Sequence, residues 1–178
     1  MIISGTPGTG KTSLCEVLSR EDNLEVISVN MLLEDYDLSL GVDDQRGYTI
    51  VDTERMIPIV DEIIRDYPDK TVIFEGHIAQ DYPHADKVIV LRCNPEVLIK
   101  RLEKRNWSES KIMENVSAEV LGVCAGECYE SYGDLVHEVT TDDKSPEELS
   151  TIVMDILCDK RECPIGHVDY MDDYIHLL

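Results

Sequence analysis

Near the start of the chain runs Ile2-Ile3-Ser4-Gly5-Thr6-Pro7-Gly8-Thr9-Gly10-Lys11-Thr12-Ser13. Residues 5–12 satisfy Gly-x-x-x-x-Gly-Lys-Ser/Thr at every required position. Ile2-Ile3 predicts a short strand before the pattern, and residues 11–20 predict a helix after it. That is the context in which such a turn holds phosphate. Glycines let the turn curl so that successive backbone N–H groups point inward, and the helix N-terminus adds partial positive charge. In such a loop Lys11 reaches the β- and γ-phosphates as a point charge, and the Thr12 hydroxyl faces Mg²⁺. Binding of a nucleoside triphosphate is the strongest expectation from the residues themselves.

Beyond the loop, strands and helices alternate. Residues 25–29 predict a second strand, and 30–52 read as irregular and acidic. Asp52 is a helix cap for 53–67, although Pro58 should kink that helix or delay its start. Residues 70–75 and 87–92 predict strands with unbroken apolar centres, the mark of burial on both faces of a parallel sheet. Asn94-Pro95 opens a helix to about residue 104, a single helix is expected over 110–131, and 135–139 predicts a fifth strand. Ser145-Pro146-Glu147-Glu148 opens a last helix, to about 157. The last twenty residues show no clear period; a helix packed on its own domain is favoured there over a docking helix. The pattern predicts an α/β domain with a five-stranded parallel sheet.

The chain has 178 residues, enough for one domain with its own core. Asp plus Glu number 37 against 16 Lys plus Arg, a net charge of −21. Such a surface repels nucleic-acid phosphates and anionic lipid heads, so direct nucleic-acid binding is not expected. A basic protein partner is compatible with it. No apolar run approaches the roughly 20 residues of a membrane helix, and no signal peptide is apparent. A cytoplasmic protein with reduced thiols is therefore expected. Cys124, Cys128, Cys158, Cys163 and His167 do not have the spacing of a standard zinc module.

Two further segments offer partners for the loop. Val72-Ile73-Phe74-Glu75 is an apolar strand ending in a carboxylate, where P-loop proteins hold the acid that orients Mg²⁺. His77, past Gly76, is placed to position a water or a phosphate. Arg92, Lys100, Arg101, Lys104, Arg105 and Lys111 crowd one stretch of an otherwise acidic chain. Arg101 and Arg105 share a helical face, and stabilising a transferring phosphoryl group would account for them. A solvated face pairing with Glu96 and Glu103 is the alternative.

The loop at 5–12, Phe74-Glu75-Gly76-His77, Leu91-Arg92-Cys93-Asn94, Arg101-Leu102-Glu103-Lys104-Arg105-Asn106-Trp107, Lys111-Ile112-Met113-Glu114-Asn115 and Lys144-Ser145-Pro146-Glu147-Glu148-Leu149 together resemble the nuclear-type adenylate kinase family, whose members also act as ribosome-assembly ATPases. The resemblance spans about residues 1–157 and leaves 158–178 as a tail. It implies a P-loop, three-layer nucleoside monophosphate kinase fold with a monophosphate region at about 28–51 and a short lid at about 104–114. It implies ATP contacts at Gly8, Gly10, Lys11, Thr12, Ser13, Arg105 and Lys144. Catalytic roles fall to Lys11, Glu75, His77, Arg101 and Arg105, with Thr12 and Glu75 at Mg²⁺. The implied reaction is ATP plus AMP giving two ADP, with ATP hydrolysis beside it. The implied partner is a basic platform protein of the small ribosomal subunit, with a role in rRNA processing.

Two features depart from the family pattern. Glu75 stands where the family's Asp-x-His motif has the shorter acid. Residues 28–51 contain Arg46 as their one base, and Leu33 lies where a basic residue is expected. AMP would then be held weakly, or by Arg46, Arg92 and Arg101, which tilts the balance towards hydrolysis.

Overall fold

The computed structural model describes residues 1–43 and 48–178. Arg46 therefore lies outside the described residues. Five parallel strands form the central sheet: β1 (Ile2–Ser4), β2 (Leu24–Ser28), β5 (Thr71–Glu75), β6 (Val88–Arg92) and β7 (Val136–Thr140), in the order β2-β5-β1-β6-β7. Pairing is parallel throughout, with Ile2 beside Phe74 on one side and Val88 on the other. The apolar strand centres alternate between two cores, because successive side chains leave a strand on opposite faces. Ile2, Phe74, Val88 and Val90 pack with Leu32, Met56, Val60 and Cys128. Ile3, Ile73, Ile89 and Leu91 pack with Leu14, Leu18, Val153 and Ile156. The second layer consists of α1 (Lys11–Leu18) and α7 (Pro146–Leu157).

The expected elements form, with three corrections. The described part of 30–52 holds regular elements: α2 (Val29–Tyr36) runs into it, and β3 (Ser39–Val42) pairs antiparallel with β4 (Thr49–Val51). Ser28 caps α2 by accepting the Met31 amide at 3.1 Å, so β2 ends one residue earlier than expected. Pro58 lies inside α3 (Thr53–Asp66) without delaying it, since the helix starts directly after its Asp52 cap.

The third correction matters for the site. The helix expected over 110–131 is two helices, α5 (Glu109–Val120) and α6 (Val123–Tyr132). Gly122 separates them with φ +64°, a left-handed conformation that L side chains rarely adopt.

A third cluster joins α4 (Pro95–Glu103) to α5 through Leu98, Leu102, Ile112 and Val116, and Met171, Tyr174 and Leu177 of the C-terminal segment pack against it. That segment holds a short helix α8 (Met171–Tyr174) and bridges the edge strand β7 through His137 and Pro164. It lies on the domain, as the sequence favours. No helix among the described residues is long and apolar enough to cross a membrane.

Candidate active site

The turn at 5–10 leaves β1 at its C-terminal end and delivers Gly10 as the cap residue of α1, with no side chain capping the amides that follow. Gly8 sits against α4, and a Cβ there would come within 2.8 Å of both Leu98 and Leu102. The loop thus packs on α4 as closely as a glycine permits. Around it Gly8, Gly10, Lys11, Thr12, Ser13, Glu75, His77 and Arg105 line one cavity of about 140 Å³, together with Val29 and Asn30. Residues far apart in sequence meet here because β1 and β5 are neighbours whose C-terminal ends lie together.

Lys11 folds back on the loop and donates to the Gly5 and Thr6 carbonyls at 2.6 and 3.2 Å. Burial pulls its pKa below the ordinary lysine value, and Glu75 acts in the opposite sense. Glu75 is buried, which pushes its carboxyl above the usual carboxylate value while Lys11 draws it down. His77 is held below the ordinary imidazole value by desolvation and by the Lys11 cation, which favours its neutral form near pH 7. Arg105 carries its guanidinium over the Trp107 ring at 5.5 Å, and the Lys111 ammonium lies 4.5 Å from the same ring. Lys111 also lies 4.7 Å from the ring of Tyr48, beside the β3–β4 hairpin. Lys111, in the stretch expected as a lid, and Tyr48, in the stretch expected to take the monophosphate, are thereby in contact.

Three basic residues lie elsewhere. Arg101 is outside the cavity lining, donating to the Thr141 carbonyl at 2.8 Å, to the Thr141 hydroxyl at 3.0 Å and to the Thr9 carbonyl at 3.4 Å. It clamps the outer side of the loop to the start of the α7 connection. Lys144 pairs with Asp143 at 2.8 Å and donates to the Thr140 hydroxyl at 3.3 Å, also outside the lining. Arg92, considered above for AMP, is unavailable. It is 3% exposed and paired with Glu119 at 2.9 Å and Glu138 at 2.5 Å. Among the described residues no group of three or more His, Cys, Asp or Glu converges as a metal site, and all six cysteines are free thiols.

Sequence reasoning missed Val29 and Asn30 as cavity residues, although Ser28 three places before Met31 is a helix-start signal that would have found them. It also missed Glu119, whose carboxylate accepts the Thr6 hydroxyl from beneath the loop.

A parallel sheet with a Gly-rich strand-to-helix turn at its C-terminal end, and a lysine and a carboxylate facing each other across it, defines a P-loop kinase fold. A thymidylate kinase from Candida albicans shares it with a TM-score of 0.56 at 12% identity, covering 89% of this chain and 90% of that one. A shikimate kinase from Bacteroides thetaiotaomicron gives 0.55 at 18% identity, covering 89% and 96%. Residues 1–122 match the family described as AAA domain. A Methanothermobacter thermautotrophicus protein named "Putative adenylate kinase" is 43% identical over 94% of this chain and 95% of its own length. A Methanocaldococcus jannaschii protein of the same name is 35% identical over 99% and 95%. The chain belongs to this P-loop, adenylate kinase-like family.

Proposed function

We propose that the chain is a nucleoside monophosphate kinase that transfers the γ-phosphoryl group of ATP to AMP and hydrolyses ATP when no acceptor is bound. The supporting observation is the cavity that joins Lys11, Thr12, Glu75, His77 and Arg105 over the start of α1. Little covalent chemistry is required of a kinase beyond aligning the acceptor in line and neutralising developing charge. An AMP phosphate oxygen forms the new bond to the γ-phosphorus as its bond to the β-phosphate oxygen breaks, and ADP leaves on each side. Lys11 exchanges its carbonyl partners for phosphate oxygens, and the amides of Gly10 to Ser13 face the same anion. Arg105, on the lid, brings its charge to the phosphates as the lid excludes water. Arg101 acts through the loop it clamps. Neutral His77 orients the acceptor or, in hydrolysis, a water.

The donor set suits Mg²⁺, since the Thr12 hydroxyl and the Glu75 carboxylate are hard oxygen donors on one cavity. Thr12 and Glu75 would hold Mg²⁺ directly or through water, and the bound ion would supply positive charge to offset that of the phosphates.

One observation favours a large hydrolytic component. Residues 28–51 hold Arg46 as their one Lys or Arg, and Arg92 and Arg101 are engaged elsewhere. The acceptor phosphate thus finds few cations, and water competes. A role in small-subunit assembly, with a basic platform ribosomal protein as partner, accords with the net charge of −21. The decisive experiment is an acceptor screen with ATP and Mg²⁺, using Lys11→Ala as the blank. AMP should convert phosphate release into ADP formation, and Lys11→Ala should lose about 10²-fold or more in turnover. If AMP leaves nucleotide turnover unchanged, the kinase reading fails. If a basic platform ribosomal protein neither co-purifies nor alters hydrolysis, the assembly role fails.

A further inference from the structure

A carboxylate beneath a phosphate-binding loop is electrostatically unfavourable for an anionic ligand unless it performs some other task. Glu119 is 1% exposed and sits at the end of α5. Its Oε2 accepts the hydroxyl of Thr6, itself 1% exposed, within the loop. Its Oε1 accepts from Arg92 Nε at 2.9 Å and from the Cys93 amide at 3.0 Å. Its backbone carbonyl accepts from Arg92 Nη2 at 3.0 Å and from the Gly122 amide at 3.1 Å. Every oxygen of this residue is committed, and its charge is neutralised on the side away from the loop.

Thr6 is the pivot on which the loop turns. Its carbonyl accepts from the Thr9 amide at 3.2 Å, the Thr9 hydroxyl at 2.9 Å and Lys11 Nζ at 3.2 Å. The Thr6 side chain fixes that peptide against Glu119, and so determines where the amides after it point. Arg92 is in turn held by Glu138 at 2.5 Å, by the Val168 carbonyl at 3.4 Å and under the Tyr170 ring at 5.4 Å. Glu138 accepts the Gly166 amide at 2.7 Å, and its own amide donates to the Cys163 carbonyl at 2.8 Å. The C-terminal segment therefore reaches the phosphate loop through a buried Glu138–Arg92–Glu119 chain.

We propose that Glu119 is a positioning residue for the phosphate loop, acting on Thr6, and that the C-terminal segment around residues 163–170 supports it through Arg92 and Glu138. This deepens the nucleotide-binding reading and rests on it for its functional consequence, though not for its structural one.

Hydrogen exchange of residues 5–13 in the nucleotide-free full chain tests the structural part. Thr6→Val, which removes the hydroxyl at constant shape, and Glu119→Gln should each speed exchange there about tenfold, the scale of one hydrogen bond to a charged group. Thr6→Ser should restore the wild-type rate. The double variant should be no faster than the quicker single, because both remove one link. Tyr170→Leu should speed the same segment at a distance. Affinity for Mg-ATP, read by calorimetry, should fall about tenfold in Thr6→Val and recover in Thr6→Ser.

Unchanged exchange in Thr6→Val, or additive effects in the double variant, overturns the assignment. Unchanged exchange in Tyr170→Leu removes the C-terminal segment from it. If Glu119→Gln does not fold, Thr6→Val against Thr6→Ser carries the test. If the native chain binds no Mg-ATP while its loop exchange responds as described, the positioning role stands and the proposed function falls. If it binds Mg-ATP and the exchange ignores Thr6→Val, the reverse holds.

Discussion

Glu75 shows how the site sets chemistry against stability. Its carboxyl is buried at the end of β5, and its pKa lies above the unfolded value of 4.5. A carboxyl in that position binds more protons in the native state than in the unfolded one. Folding therefore becomes less favourable as pH rises through that window, and the cost is fully present above the folded pKa. Glu75→Gln should raise the melting temperature at pH 7, and scanning calorimetry should show the difference vanish below pH 4.5, where both states are protonated. The same variant should lower turnover by about 10²-fold, on the scale of one lost electrostatic group. A lower melting temperature at pH 7 would mean that the attraction to Lys11 outweighs desolvation. That Lys11, Thr12 and Glu75 line one cavity was legible in the sequence, because the loop motif and the strand end that carry them are local patterns along the chain. Arg92 was misread because its charge pattern is the same whether it faces a ligand or a buried Glu119.

At the level of the helices, the turn between α5 and α6 rests on one residue. A Cβ on Gly122 would meet nothing closer than Arg92 Nη2 at 3.6 Å, an ordinary contact, so substitution there costs conformation rather than space. Gly122→Ala should destabilise the fold by about 1–2 kcal/mol, the cost of a left-handed L residue. A shifted denaturant midpoint with an unchanged slope is the signature to measure. The helix starts were readable where capping is local. Ser145 and Glu148 form a reciprocal capping box at the start of α7, and Asn94-Pro95 opens α4. The break inside 110–131 was not readable in the same way, because an isolated glycine in a helical pattern is tolerated as often as it terminates. The β3–β4 hairpin escaped notice for another reason. Leu40, Val42 and Ile50 are 63%, 58% and 48% exposed, so its apolar residues carry no core-facing alternation to detect.

The whole molecule carries a net charge of −21, and a compact body of that charge repels itself. Raising salt from about 0.01 M to about 1 M shortens the screening length from about 30 Å to about 3 Å. The melting temperature should climb over that range with a neutral salt such as potassium chloride; no change would mean that local ion pairs already balance the charge. The five sheet strands along the chain, the phosphate loop and its lysine follow from the sequence by itself, because each rests on period, spacing and residue type over a few neighbouring positions; the order in which those strands pair does not. Which cations face the cavity and which are buried in ion pairs was decided only by the tertiary structure. So was the reach of the C-terminal segment to Thr6, since both depend on groups that the folded sheet brings together from opposite ends of the chain.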